Sequence, residues 1–220
     1  ARSFARASSR SASVTNASGA TALPLSFSCW YRSTGSITVE QSLVAVSRRT
    51  TSIDAWFIGV DTSGHAICES WHNPTFGTAV GTVNVADGAW HHIGGVIAST
   101  TSRAVYTDGG DKQTNATAVT VANVNGIQIG AIFSNIGALG EFADGDIAHA
   151  AIWQVALTDA EMAMLAAGAP PFTIRPINLA RYVPLFGSAP YTTEPDWMQA
   201  TGFTLTNSPG LASSDPPVMR

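Results

Sequence analysis

Charge is scarce in this chain. Asp, Glu, Lys and Arg make up 12% of its 220 residues, about half the share usual in soluble domains. Lys112 is the only lysine among 11 basic residues, and the net charge is −4. Such a balance offers no broad basic face, which argues against nucleic-acid binding. Cysteine is equally sparse. Cys29 and Cys68 stand alone in strand-like runs, without Cys-x-x-Cys or Cys/His spacing, and this argues against a zinc site. They either pair across strands in an oxidising compartment or stay as buried thiols, and buried thiols are the expectation. No apolar run approaches the length of a membrane helix. The first residues are polar and Arg-bearing, without the apolar core of a secretory leader. The expectations drawn from that start are cytoplasmic synthesis or, alternatively, a mature secreted form.

What remains is a globular composition rich in Gly, Ser, Thr and Ala. The hydrophobic fraction of 45% is too high for disorder. The length suits one large sandwich or two small domains, with a core that needs no metal or disulfide staple. Asp87-Gly88 is a turn signal. Trp90 to Ala98 follows as a strand, then a polar bend at Ser99–Arg103, then Ala104 to Thr107 and Asp108-Gly109-Gly110. Two strands around a polar bend form a hairpin. Trp90, His92 and Val96 share one face, Ile93 and Ile97 the other, so both faces carry bulk. Leu25 to Tyr31 alternates, with Leu25, Phe27, Cys29 and Tyr31 opposite Ser26, Ser28 and Trp30. That pattern predicts a half-buried antiparallel strand. Further strands are expected at Leu43–Ser47, Ala55–Val60, His65–Trp71, Val119–Val121, Gly126–Gly130 and Gly145–Trp153. Leu157 to Gly168 predicts a short helix at Thr158–Ala167: Thr158 caps it, Glu161 completes a capping box, and Gly168 ends it.

Several of these stretches together resemble one family. "Asp-Gly-x-Trp-His-His-Ile … Val-Tyr-x-Asp-Gly", "Phe-Ser-Cys-Trp-Tyr-Arg" and "Gly-Asp-Ile … Ala-Ile-Trp-x-Val-Ala-Leu-Thr-Asp-Ala-Glu" are similar to the central hairpin, a hallmark strand and the closing strand-plus-helix of laminin-G-like, concanavalin A-like jelly rolls. The resemblance implies an all-β, antiparallel two-sheet sandwich with one short helix. Phe27, Trp56, Ile93, Val96, Ile129, Ile152 and Trp153 should fill it. Three regions are expected: an N-terminal arm and first strand over 1–22, the sandwich over 23–169, and a Pro-rich extension over 170–220. The extension carries strands at Leu179–Leu185 and Gly202–Thr206. "Arg-Tyr-Val-Pro-Leu-Phe-Gly … Glu-Pro-Asp … Phe-Thr-Leu-Thr" is similar to a segment following such domains in some phage virion proteins.

Function is less determined than fold, because this sandwich hosts lectins, glycanases, adhesion modules and virion proteins. The first expectation is a non-catalytic virion structural protein, a phage capsid-decoration or tail-associated adhesion protein. A secreted carbohydrate-binding module is the alternative, and a glycanase ranks third. Trp71, His72, Asn73 and Phe76 form the most ligand-like group, aromatic faces beside amide and imidazole, expected on a loop interrupted by Pro74. Arg2, Arg6, Arg10, Arg181 and Trp197 are the candidate contacts to a homo-oligomer or to other virion proteins. Glu194-Pro-Asp196-Trp-Met-Gln199 resembles the Glu-x-Asp-x-x-Glu strand of laminarinase-type glycanases. Glycoside hydrolysis needs two suitably spaced carboxyls. Here Gln199 replaces the third acid and Pro195 disfavours a central strand, so no enzyme is expected. Relatives often bind calcium through loop carboxylates, and Asp61, Asp108, Asp111 and Asp144 are the turn residues that would serve. Asp at turns usually serves the turn itself, so no cofactor is expected. His91 and His92 are adjacent and face opposite sides of a strand, so they cannot share one ion.

Overall fold

The computed structural model describes residues 1–50, 53–135, 137–186, 192–199, 202–207 and 209–217. In chain order the first strands are β1 (Arg2–Phe4), β2 (Ser11–Val14), β3 (Leu25–Ser33), β4 (Gln41–Ser47), β5 (Asp54–Val60) and β6 (His65–His72). There follow β7 (Thr75–Asn84), β8 (His91–Ser99), β9 (Ser102–Thr107), β10 (Gly110–Asn115), β11 (Gly126–Ile129), β12 (Ile132–Asn135) and β13 (Ala138–Gly140). After β14 (Gly145–Trp153) come α1 (Asp159–Ala166), β15 (Leu179–Val183), β16 (Thr193–Glu194), β17 (Phe203–Thr206) and β18 (Gly210–Leu211).

These strands form two antiparallel sheets. One runs β10-β9-β8-β3-β14-β1-β18, with β15 also on β14; the other runs β16-β17-β2-β11-β4-β5-β6-β7. β12 and β13 make a separate hairpin. The predicted all-β two-sheet sandwich with one helix is therefore the observed architecture. β14 holds it together. One edge pairs with β3, while the other is shared: Gly145–Ile147 pairs with β1 and Ala150–Trp153 with β15. His149 sits at that division with φ +52°, and its N–H turns to the Pro184 carbonyl at 3.2 Å. An isolated left-handed residue of this kind lets a strand change partners without leaving an amide unpaired.

The alternation read from β3 holds, and it decides the core. Leu25, Phe27, Cys29 and Tyr31 point between the sheets with Phe4, Trp56, Ile58, Ile93, Ile97, Ile129, Ile147, Ile152, Phe203 and Leu205. The opposite face of β3 departs from expectation, because it is buried too. Ser26 donates to the Val155 carbonyl at 2.7 Å and accepts from the Leu157 N–H at 2.9 Å. Ser28 bonds His92 at 2.8 Å. A second apolar cluster explains this: Val96, Tyr106, Trp153, Leu157, Met162, Leu165, Ile174, Leu179 and Tyr182 lie outside the first sheet, under α1 and the chain that follows. Val96 and Trp153, expected between the sheets, belong to this outer layer.

α1 forms where its signals stand. Thr158 accepts from the Glu161 N–H, the Glu161 carboxylate accepts from the Thr158 N–H, and Gly168 leaves the helix at φ +94°. Two local readings do not hold. Val119–Val121 is not a strand, although Val119, Val121 and Val124 still pack into the core. Residues 71–78 are not a loop. β6 continues to His72 and β7 starts at Thr75, so Asn73-Pro74 is a tight hairpin turn between paired strands. β7 was hidden because its inward positions are small. A side chain at Gly77 would strike the Arg103 guanidinium, and one at Gly81 would crowd the Asp111 carboxylate. Glycine there marks close approach rather than a turn.

Candidate functional site

The outer faces of the two sheets differ. α1 and the 155–182 segment cover the first sheet. The second sheet is covered at one end by the β12–β13 hairpin, whose Ile132 packs on Ala45, Ala55, Phe57 and Ile67. The Arg49 guanidinium lies over Phe133, 5.4 Å from the ring centre, within reach of a cation–π contact. Beyond that hairpin the face opens onto β6 and β7. Residues opposite one another in antiparallel strands share a face. The register therefore builds two rows, Ala55–Trp71–Phe76 and, one step inward, Phe57–Glu69–Thr78. Phe76 is 61% exposed, and Trp71 is half-buried against the Ile132 cluster.

This placement divides the expected ligand group. Trp71 and Phe76 stand side by side on the outer face. His72, one residue on, points the other way, where its Nδ1 lies 2.6 Å from the buried Asp54 carboxylate. Asp54 also accepts from the Ala122 N–H at 3.2 Å and lies 3.7 Å from Arg48. Asn73 occupies the exposed turn. His72 and Asn73 thus flank the aromatic pair from the rim.

The sequence reading passed over Glu69 and Thr78. Glu69 is 6% exposed, with its carboxylate accepting from the Thr78 hydroxyl. Burial pushes its pKa up to about 7; the Thr78 hydrogen bond works against that rise, Glu40 adds to it and Arg103 opposes it. Burial, helped by Glu40 and Glu69, likewise pushes Glu141 up to about 8. Glu40 is raised as well, by burial and then by Asp61. A trace of this was legible: Glu69 is a lone charge inside an apolar strand, two residues from a tryptophan on the same face.

Other candidates are tied into the fold. Glu194 is fully buried and paired with Arg2, and Arg2 also donates to the Pro209 carbonyl at 3.1 Å. Asp196 accepts from Arg181 at 3.2 Å and from the N–H groups of Tyr182 and Met198 at 3.3 and 3.0 Å. Both carboxylates are buried and held in ion pairs inside the fold. Arg2 and Arg181 are each 1% exposed, so within the chain they serve ion pairs rather than the expected contacts with neighbours. Arg6 and Arg10 are part-exposed, with Arg6 reaching Thr38 at 3.4 Å. Trp197 is 54% exposed.

The turn aspartates are also engaged. Asp61 accepts from the N–H groups of Ser63 and His65, Asp111 from Thr82 and Val83, and Asp108 from His92 while holding His91. Asp144 closes its turn through its backbone, bonding Gln41 and Tyr31. Among the described residues no three His, Cys, Asp or Glu side chains are placed to hold a metal ion. Ser28 and His92 do pair, but both are buried. His92 is pushed down to about 4 by burial, and among the described residues its Nδ1 has no hydrogen-bond partner. A serine without solvent access or an oriented base is not an activated nucleophile. Cys29 and Cys68 are free and buried.

Known proteins agree with this architecture. The model of the concanavalin A-like lectin/glucanases superfamily matches residues 6–163, and the chain belongs to that family. No curated protein matches the sequence. Among solved structures, a candidate carbohydrate-binding protein from Bacteroides ovatus is 14% identical, with a TM-score of 0.72 over 99% of this chain and 60% of that one. This chain therefore spans about three fifths of that protein's length. The CBM40 module of the Ruminococcus gnavus IT-sialidase, bound to α2,3-sialyllactose, is 14% identical with a TM-score of 0.58, covering 71% of this chain and 91% of that one. Domains LG4–5 of the mouse laminin α1 chain are 16% identical with a TM-score of 0.52, covering 68% and 40%. At such identities the likeness is one of fold.

Proposed function

We propose that this protein is a non-catalytic glycan-binding module and that the open outer face of its second sheet makes the contact. The observation that carries the proposal is the Trp71–Phe76 pair, two aromatic side chains placed opposite one another on a sheet face beside a hydrogen-bonding row. Sugar rings present apolar C–H faces and a rim of hydroxyls. Aromatic side chains stack on the first, and Thr78 and the rim residues His72 and Asn73 supply partners for the second. Pockets that combine apolar walls with a few placed polar groups are the usual form of small-ligand sites. The structural neighbours that carry carbohydrate-binding names support the reading at the level of fold.

The two settings raised by the sequence, a virion adhesion protein and a secreted module, would use the same contact. A virion setting is checked by looking for the protein in purified particles. The contact itself is tested on a glycan array with the full chain and its Trp71→Ala and Phe76→Ala variants. The expected result is binding to a restricted set of glycans, weakened about tenfold or more by either substitution. Unchanged binding by both variants, with their folds intact, would move the site elsewhere.

A further inference from the structure

The strands that end the two sheets differ in how they meet solvent. β10 carries Asp111 and Lys112, and β16 and β18 are two residues each. Charge and shortness are common ways of keeping a sheet edge from pairing with another chain. β7 has neither. It runs ten residues, Thr-Phe-Gly-Thr-Ala-Val-Gly-Thr-Val-Asn, without a charge or a proline. Phe76, Val80 and Val83 on it are 61%, 41% and 39% exposed.

The register shows which backbone groups of β7 are free. The Asn73 N–H donates to the Ile53 carbonyl at 3.1 Å, and the Asp61 N–H to the His65 carbonyl at 2.9 Å. The odd-numbered residues of β6 therefore bond towards β5. Its even-numbered residues His72, Ser70 and Cys68 bond towards β7, where they face Thr75, Gly77 and Ala79. The N–H and C=O groups of Phe76, Thr78 and Val80 point away from the sheet, and among the described residues they have no backbone partner. β10 approaches from the inward side, under Gly77 and Gly81, and does not extend the sheet. The open stretch is closed at both ends. Asn73-Pro74 turns the chain at one, and at the other the Asp111 carboxylate accepts from the N–H groups of Thr82 and Val83 at 2.7 and 3.2 Å. Residues 75–81 remain, and Thr78 is their midpoint.

A second copy of the chain fits this edge. When β7 lies antiparallel to itself about Thr78, free groups meet free groups: Phe76 stands opposite Val80 of the second copy, and Thr78 opposite Thr78. About six backbone hydrogen bonds form. An aromatic side chain meets a β-branched one on the outer face, a favourable cross-strand pair, and like charges never meet because the strand carries none. An unrelated peptide would match the backbone alone.

We propose that β7 pairs with β7 of a second copy, antiparallel and centred on Thr78, joining the two second sheets into one continuous sheet in a two-fold dimer. Directly opposed residues share a face, so both Trp71–Phe76 pairs lie on one side of that sheet. The interface stands without the glycan-binding role proposed above; only the bivalent use of its surface rests on that reading.

Sedimentation velocity of the full chain from about 1 to about 300 µM should show a reversible monomer–dimer equilibrium. Val80→Pro removes an N–H that no internal ladder bond uses. It should raise the dimer dissociation constant about tenfold or more with circular dichroism unchanged. Cysteines read the register. Thr78→Cys sets two thiols across the two-fold axis, within disulfide reach, and mild oxidation should link the copies. In Val80→Cys the thiols lie about 13 Å apart along the strands and should not link; the native Cys29 and Cys68 are buried. The proposal is overturned if the chain stays monomeric over that range, or if folded Val80→Pro dimerises like its parent. It is equally overturned if Thr78→Cys does not link, or if Val80→Cys links as readily. Should Val80→Pro fail to fold, the cysteine pair decides. None of these readouts uses a glycan, so failure of the dimer and failure of the glycan site are separate results.

Discussion

The outer faces of the two sheets are made from similar strands and put to different use. On the first sheet, Val96, Trp153 and Tyr182 are covered by α1 and the segment after it, so the sheet is buried on both sides. On the second, the β12–β13 hairpin covers Phe57 and Ile67 and leaves Trp71 and Phe76 at its margin. An aromatic residue on a strand therefore says little until its cover is known. Trp153 is core and Phe76 is surface, although both sit in alternating strands beside small residues. The difference lies in which distant segment returns over the face.

That contrast is open to attack in several ways. The largest effects should come from the ends of the chain and the covered face. Arg2→Ala leaves Glu194 buried without its partner, and breaking a buried ion pair costs about 3–5 kcal/mol. Trp153→Ala should cost about as much through the cavity it leaves. Urea unfolding measures both. Arg6→Ala, a part-exposed neighbour of Arg2, should fall within about 0.5 kcal/mol. Similar midpoints for the Arg2 and Arg6 variants would mean that β1 is dispensable and that the two ends are not built into the sheets.

The second sheet's acids predict a pH effect of intermediate size. Glu69 and Glu141 have folded pKa values raised to about 7 and about 8, chiefly by burial. The folded state therefore keeps protons that the unfolded chain releases above the ordinary carboxyl range. Their contribution is fully favourable below about pH 4.3. It is lost progressively as pH rises through 7 to 8. Stability should fall over that window by on the order of 2 kcal/mol, and Glu141→Gln should flatten the slope. Unfolding midpoints at pH 5 and pH 8.5 decide it; a parallel fall in the variant would place the titrating groups elsewhere.

Smaller effects complete the series. Thr158→Ala removes a capping side chain and should cost about 1 kcal/mol, seen as a lower midpoint in thermal unfolding. Phe76→Ala should change stability by no more than about 0.5 kcal/mol while weakening glycan binding. A large destabilisation by Phe76→Ala would make the open face a covered one and erase the comparison.

Much of the fold was legible, for a local reason. β3 and β14 declare themselves by alternation and bulk, and α1 by a capping box whose partners are three residues apart. β7 was not declared, because Pro74 reads as a break and the inward positions Gly77 and Gly81 carry no bulk where they make room for Arg103 and Asp111. Half of the candidate site was readable in the same way. Trp71 and Phe76 could be singled out by residue type, but their pairing on one face, with His72 turned away to Asp54, follows from a two-residue turn that the sequence presents as a proline break.

The sequence by itself determined the class of the fold, since hydrophobic period and cap signals act over a few residues and survive inspection of the chain alone. Tertiary structure decided which polar groups are spent and which are offered. Arg2 meets Glu194 across 192 residues of chain, and Glu69 acquires its raised pKa chiefly from burial in the folded chain. Charge and hydrogen-bonding capacity are properties of a residue, whereas desolvation and partnership belong to the place where the folded chain leaves it.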